Sequence, residues 1–106
     1  MLLKIKILYI MTKADIIAQI ADETGLERLE VQKTVESFMT VVKKNMAEGN
    51  DVFLRGFGSF IVKKRAEKTG RLIKAQKSII IPAHNIPAFK PAKVFLEEVR
   101  NKVVVK

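Results

Sequence analysis

Between Arg55 and Lys93 the chain carries ten basic side chains and one acid, Glu67. Within that stretch, residues 66–78 hold almost no large apolar side chains apart from Leu72 and Ile73. Such a segment cannot join a hydrophobic core, and its like charges repel unless solvent or a polyanion separates them. Strand-like runs flank it, Ser59–Arg65 before and Ile79–Ile81 after. Two strands around a basic, core-less segment predict a long β-hairpin arm over residues 63–80, projecting from a body that must be built elsewhere.

The body begins with helical periodicity. Thr12 followed by Asp15 predicts a helix N-cap with an acid in the first turn. Ile16, Ile17 and Ile20 fall on one face, and Gly25 closes the helix. Val31, Val35, Phe38, Met39, Val42 and Met46 recur at spacings of three and four, which predicts a second helix from Arg28 to about Glu48, ended by Gly49. The period then changes. Val52–Leu54 predicts a strand, and Gly56 and Gly58 flank Phe57 in a tight turn. Pro82, Pro87 and Pro91 punctuate the return from the arm. Pro91 suits the first turn of a last helix through Phe95, Leu96 and Val99. The expected fold class is α+β: an N-terminal helical hairpin, a three-stranded antiparallel sheet with a long protruding β-hairpin arm, and a short C-terminal helix. A chain of 106 residues fits one domain, residues 11–106. Residues 1–10, MLLKIKILYI, are set apart as an N-terminal extension, either an accessory strand or a non-native or disordered addition ahead of Met11.

Several chemistries are excluded or disfavoured. With no cysteine there is no disulfide, thiolate metal site or thiol nucleophile. The one histidine, His84, has no cluster of ligands around it in the sequence, so no metal site is expected, and His84 is assigned to the surface or to the neighbourhood of a bound polyanion. No catalytic carboxylate pair or serine constellation is indicated. The Gly56–Gly58 turn is too short for a phosphate loop. No enzyme activity, cofactor or small-molecule substrate is expected. No apolar run approaches the roughly 18 residues that cross a bilayer.

Six phenylalanines, five of them after Asn50, are more than two helices, a small sheet and a short helix can cover. Obligate dimerisation supplies the missing surface. Phe38, Phe53, Phe57, Phe60 and Phe89 are the candidates for a shared core.

The charge is uneven: residues 1–53 have a net charge of −1 and residues 54–106 of +10. A two-stranded ribbon is narrow enough to enter a DNA groove, and each phosphate it neutralises releases counterion. Lys63, Lys64 and Arg65 end one strand, Lys68 and Arg71 approach the tip, and Lys74 and Lys77 leave it. Few side chains in this arm can read bases, so weak sequence preference is expected. RNA and an anionic membrane surface are the alternative partners that charge alone permits.

The runs GFGSFIVKKRAEKTGR (56–71) and IPAHNIPAFKPAK (81–93) resemble the HU family of bacterial histone-like DNA-binding proteins, from Met11 to about Asn101. The resemblance implies an intertwined homodimer in the bacterial cytoplasm, bound to the nucleoid. Each subunit would contribute a helical base, a three-stranded saddle and an arm that enters the minor groove and bends duplex DNA. It implies DNA contacts from Gly56, Phe57 and Gly58 at the saddle turn, and from Lys63, Arg65, Lys68 and Arg71 on the arm; the charge pattern adds Arg55, Lys64, Lys74 and Lys77 to the candidate DNA contacts. Lys13 matches a basic position near the family's N-terminus, and Lys90 and Lys93 match positions beside the last helix. Ile73 stands where the family's wedging proline usually sits, and Ala92 where glycine is common. A sequence-specific bender resembling integration host factor is the alternative within the same superfamily.

Overall fold

The computed structural model describes residues 10–72 and 77–104, with the side chains of 71, 72 and 77 left aside. Ile73, Lys74 and the extension before Ile10 lie outside the described residues. The chain is α+β, in the order α1 (Lys13–Thr24), α2 (Arg28–Ala47), β1 (Val52–Leu54), β2 (Gly58–Arg65), β3 (Lys68–Leu72), β4 (Lys77–Ile81), β5 (His84–Pro91) and α3 (Lys93–Lys102). It divides into two compact units, one ending at Thr40 and one beginning at Val41.

The first unit holds α1 and most of α2. Thr12 and Asp15 cap α1 reciprocally: Asp15 N–H donates to Thr12 Oγ1 at 3.3 Å, and Thr12 N–H donates to Asp15 Oδ2 at 2.9 Å. Two amides that the helix leaves unpaired are thereby satisfied. Gly25 ends the helix at φ +75°, its N–H donating to Ala21 O at 2.9 Å. Of the predicted apolar face, Ile17 and Val31 are buried and Ile16 stays exposed.

In the second unit β1, β2 and β5 form an antiparallel sheet with β2 in the middle. β1 is only three residues long, and beyond its end the Asp51 carboxylate accepts the Val62 N–H at 2.9 Å. That bond fixes the direction of the Val62 N–H towards β1. Val62 stands opposite Pro87, so this pair exchanges no bonds, and Pro87's nitrogen faces the sheet's outer side. The same parity holds for Gly58 opposite Pro91. Two prolines are therefore accommodated in β5 without losing a ladder bond, because β5 is an edge strand.

The return segment that the prolines punctuate is an eight-residue strand. Ile79–Ile81 pairs with Lys68–Gly70 of β3 inside a separate two-stranded ribbon. One expectation is corrected: Pro91 ends β5 instead of opening α3; the N-cap of α3 is Ala92, at φ −66° and ψ 154°. Ala92, where glycine is common in the family, is extended and lies before the helix.

Candidate nucleic-acid interface

Register alone divides the β2–β5 sheet into two chemically different faces. Alternate residues of a strand point to opposite sides, and directly opposed residues share a side. One side carries Phe60 opposite Phe89 and Val62 opposite Pro87. The other carries Ser59 opposite Lys90, Lys63 opposite Ile86 and Arg65 opposite His84. Lys63, Arg65, Lys90 and His84 are all exposed. Lys64 stands opposite Asn85 on the aromatic side, so the sheet does not bring it together with Lys63 and Arg65.

The aromatic side is a cluster. Phe57 lies 5.2 Å from Phe89 and 5.4 Å from Phe95, and Phe60 lies 4.9 Å from Phe89, centroid to centroid. Phe57 therefore belongs with the aromatic cluster, although the resemblance also placed it at the DNA contact. Phe95 completes the cluster and was not among the sequence candidates; its helical spacing with Leu96 and Val99 had marked only a helix face.

The turn between β1 and β2 holds Arg55, exposed, and Gly56 at φ +82°. It is closed by Phe57 N–H donating to Leu54 O at 3.0 Å, and tied to the entry of α3 by Ala92 N–H donating to Phe57 O at 2.9 Å. Gly58 is buried where a Cβ would stand 2.6 Å from the Lys90 carbonyl oxygen and from the Phe89 ring. The turn thus locks three distant segments together. Lys93 opens α3, which has no side-chain cap and no acid in its first turn, so the positive end of the helix dipole is left uncompensated beside Lys90 and Lys93.

The ribbon continues beyond Arg65. Lys68 stands opposite Ile81, Thr69 opposite Ile80, Gly70 opposite Ile79, Arg71 opposite Ser78 and Leu72 opposite Lys77. A Cβ on Gly70 would meet Ile81 Cδ1 at 3.2 Å and Ile79 Cγ1 at 3.5 Å, so the isoleucines close over the glycine. Ile80 is 69% exposed on the other side. The ribbon is therefore basic along one strand and apolar along much of the other, a division the overall charge concealed. Where it meets the sheet, Arg65, Ala66, Glu67, Lys68, Ile81 and His84 line an open cleft of about 620 Å³.

Lys13 is placed differently. It lies in the first unit, and its ammonium donates to Glu36 Oε2 at 2.8 Å. That hydrogen bond, with a second from Gln32 and the Lys13 charge, holds the Glu36 carboxyl below its ordinary value. Asp15 is likewise held low, by hydrogen bonds from the Thr12 backbone and then its hydroxyl. Among the described residues no group of three or more acidic or histidine side chains is placed to hold a metal, and no helix is long and apolar enough to cross a membrane.

The family model described as "Bacterial DNA-binding protein" matches residues 11–100. DNA-binding protein HU of Thermus thermophilus is 40% identical over 89 residues, which cover 84% of this chain and 92% of that protein. DNA-binding protein HU-alpha of Salmonella typhimurium is 38% identical over 90 residues, covering 85% of this chain and 100% of that protein. Among solved structures, an Anabaena HU–DNA cocrystal structure superposes with a TM-score of 0.81 at 28% identity, covering 84% of this chain and 97% of that one. Basic and aromatic faces set back to back on one small sheet, a ribbon beyond them, and matches over nearly the whole length of these relatives have one explanation: the chain belongs to the HU family of bacterial DNA-binding proteins.

Proposed function

We propose that the chain is a non-enzymatic architectural protein that binds and bends duplex DNA as a homodimer, with little sequence preference, and condenses the bacterial nucleoid. The carrying observation is the separation of faces on the β2–β5 sheet. Lys63, Arg65 and Lys90 share one exposed side, and the ribbon with Lys68 extends it, while the opposite side holds Phe60 and Phe89. A basic face suits phosphate, and an exposed aromatic face suits a second subunit. Phe38, 47% exposed, is assigned to the dimer surface; Phe53, 75% exposed and also expected there, stands opposite Ser59 and so lies on the basic side of the sheet, away from Phe60 and Phe89. Arg55, Gly56, Arg71, Lys74, Lys77 and Lys93 are assigned to the DNA side, with Ile73 as the apolar wedge at the arm tip; Lys64, on the aromatic side of the sheet, is not. Lys13 is assigned to the DNA side in competition with its Glu36 partner.

A salt series on a linear duplex tests this. The logarithm of the association constant should fall linearly with the logarithm of salt, with a slope of about −0.9 per phosphate contacted. Nicked or pre-bent duplex should bind more tightly than linear duplex, since its deformation is already made. A salt-independent affinity, or equal affinity for duplex RNA, would overturn the reading.

A further inference from the structure

The cleft between sheet and ribbon is the one place where the chain's single histidine meets two of its cations. We propose that Arg65, Lys68 and His84 form a subsite for one phosphodiester of the DNA backbone, whose hold strengthens when His84 takes up a proton. This rests on the reading that the chain grips duplex DNA.

Three observations carry it. First, Arg65 and His84 are the last opposed pair of the β2–β5 ladder, so their side chains leave the same side of the sheet from neighbouring backbone positions. Second, His84 Nδ1 lies 2.9 Å from the Pro82 carbonyl oxygen. A carbonyl only accepts, so Nδ1 carries the hydrogen, and Nε2 holds the lone pair. A neutral ring in this tautomer presents an acceptor, which a phosphate oxygen avoids. A protonated ring presents a charge-assisted donor, which phosphate seeks. Third, Lys68 opens the ribbon opposite Ile81 and lines the same cleft, and the ring of His84 is exposed to whatever enters.

The charged groups lining the cleft beside His84 are Arg65 from β2, Glu67 from the connection and Lys68 from β3. Two are cations and one is an acid, so the cleft carries a net positive charge before a phosphate enters. Like charges directly opposed on a sheet destabilise it. A phosphate entering between them removes that repulsion. Proton and phosphate therefore favour each other, and by linkage the effect is reciprocal. Imidazole is the side chain whose charge ordinarily changes between about pH 5 and 8. The α-amino group also changes charge in that window, so it is the comparison with His84→Ala that assigns a response to the chain's one histidine. Asp15 and Glu36, whose carboxyls are held low, stay ionised across it.

The test is fluorescence anisotropy of the full chain on a labelled duplex, in salt series at about pH 5.5 and about pH 8, for the wild type, His84→Ala and His84→Lys. The wild type should bind up to about fivefold more tightly at the lower pH, the upper range for one exposed ion pair. Its salt slope should steepen by up to about 0.9. His84→Ala should bind equally at both pH values, at the wild type's high-pH level. His84→Lys should bind at both as the wild type does at low pH. Salt-dependent binding with the same pH response in the wild type and His84→Ala overturns the subsite alone. Binding without salt dependence at either pH overturns the DNA reading and the subsite with it.

Discussion

Gly56 and Gly58 stand two residues apart and are needed for different reasons. At Gly56 the backbone has φ +82° but nothing lies within 4 Å of an added Cβ. At Gly58 the φ is +157° and the Cβ would collide with backbone and a ring. Gly56→Ala should therefore cost only backbone strain, about 1 kcal/mol. Gly58→Ala should cost more, about 3 kcal/mol, because the Lys90 carbonyl cannot move without disturbing the β2–β5 ladder. Urea unfolding of both variants measures the difference, and equal losses would refute the steric account. The pair of glycines was legible as a turn. The collision at Gly58 was not, since Phe89 and Lys90 are some thirty residues away and meet it only through the sheet register.

At the scale of elements, the helices were legible because their signals are local: a cap, a period and a terminal glycine. The capping box of α1 gives a prediction of its own. Thr12→Ala removes the hydroxyl that accepts the Asp15 N–H and should destabilise the protein by about 1 kcal/mol. The Asp15 and Glu36 carboxyls are held below their ordinary values of 3.8 and 4.5, so the folded state prefers them ionised. Their contribution is present above those values and is lost as pH falls through the lower, folded-state ones. Thermal melts from pH 6 down to about pH 2 should therefore show stability declining in acid, and less steeply in Glu36→Gln than in the wild type. A parallel decline in both would remove Glu36 from the explanation. β5 was illegible for the opposite reason. Its prolines signal a break locally, and their tolerance depends on parity against Val62 and Gly58, which only pairing reveals. Ile79–Ile81 was legible as a strand of the arm, but its partner Lys68–Gly70 was not, because strand character does not name a partner.

For the whole molecule, the described core is thin. Ile17, Val31 and Val42 are its buried hydrophobic residues, while Phe38 is 47% exposed. In a chain that stays monomeric, Phe38→Ala would leave sedimentation unchanged. In a dimer that covers this ring, the substitution should raise the dissociation constant tenfold or more, as loss of a buried aromatic at an interface does. Sedimentation across a dilution series distinguishes the two, and an unchanged constant would place Phe38 outside the interface. The count of phenylalanines made a partner surface legible in the sequence. Which rings cluster within one chain required the sheet, because Phe60 and Phe89 are opposed across β2–β5 with Phe57 beside them, while Phe53, opposite Ser59, is on the basic side.

The prolines of β5 bear on a hazard that follows from such a surface. A chain with uncovered apolar groups and an open strand is at risk of polymerising by sheet extension. On the outer side of β5 the amide positions are Asn85, Pro87, Phe89 and Pro91, and two of the four have no hydrogen to donate. A strand arriving from another copy would find every second donor missing. Association is thereby turned away from open-ended stacking along the backbone and left to side-chain surfaces, where a closed pair can form.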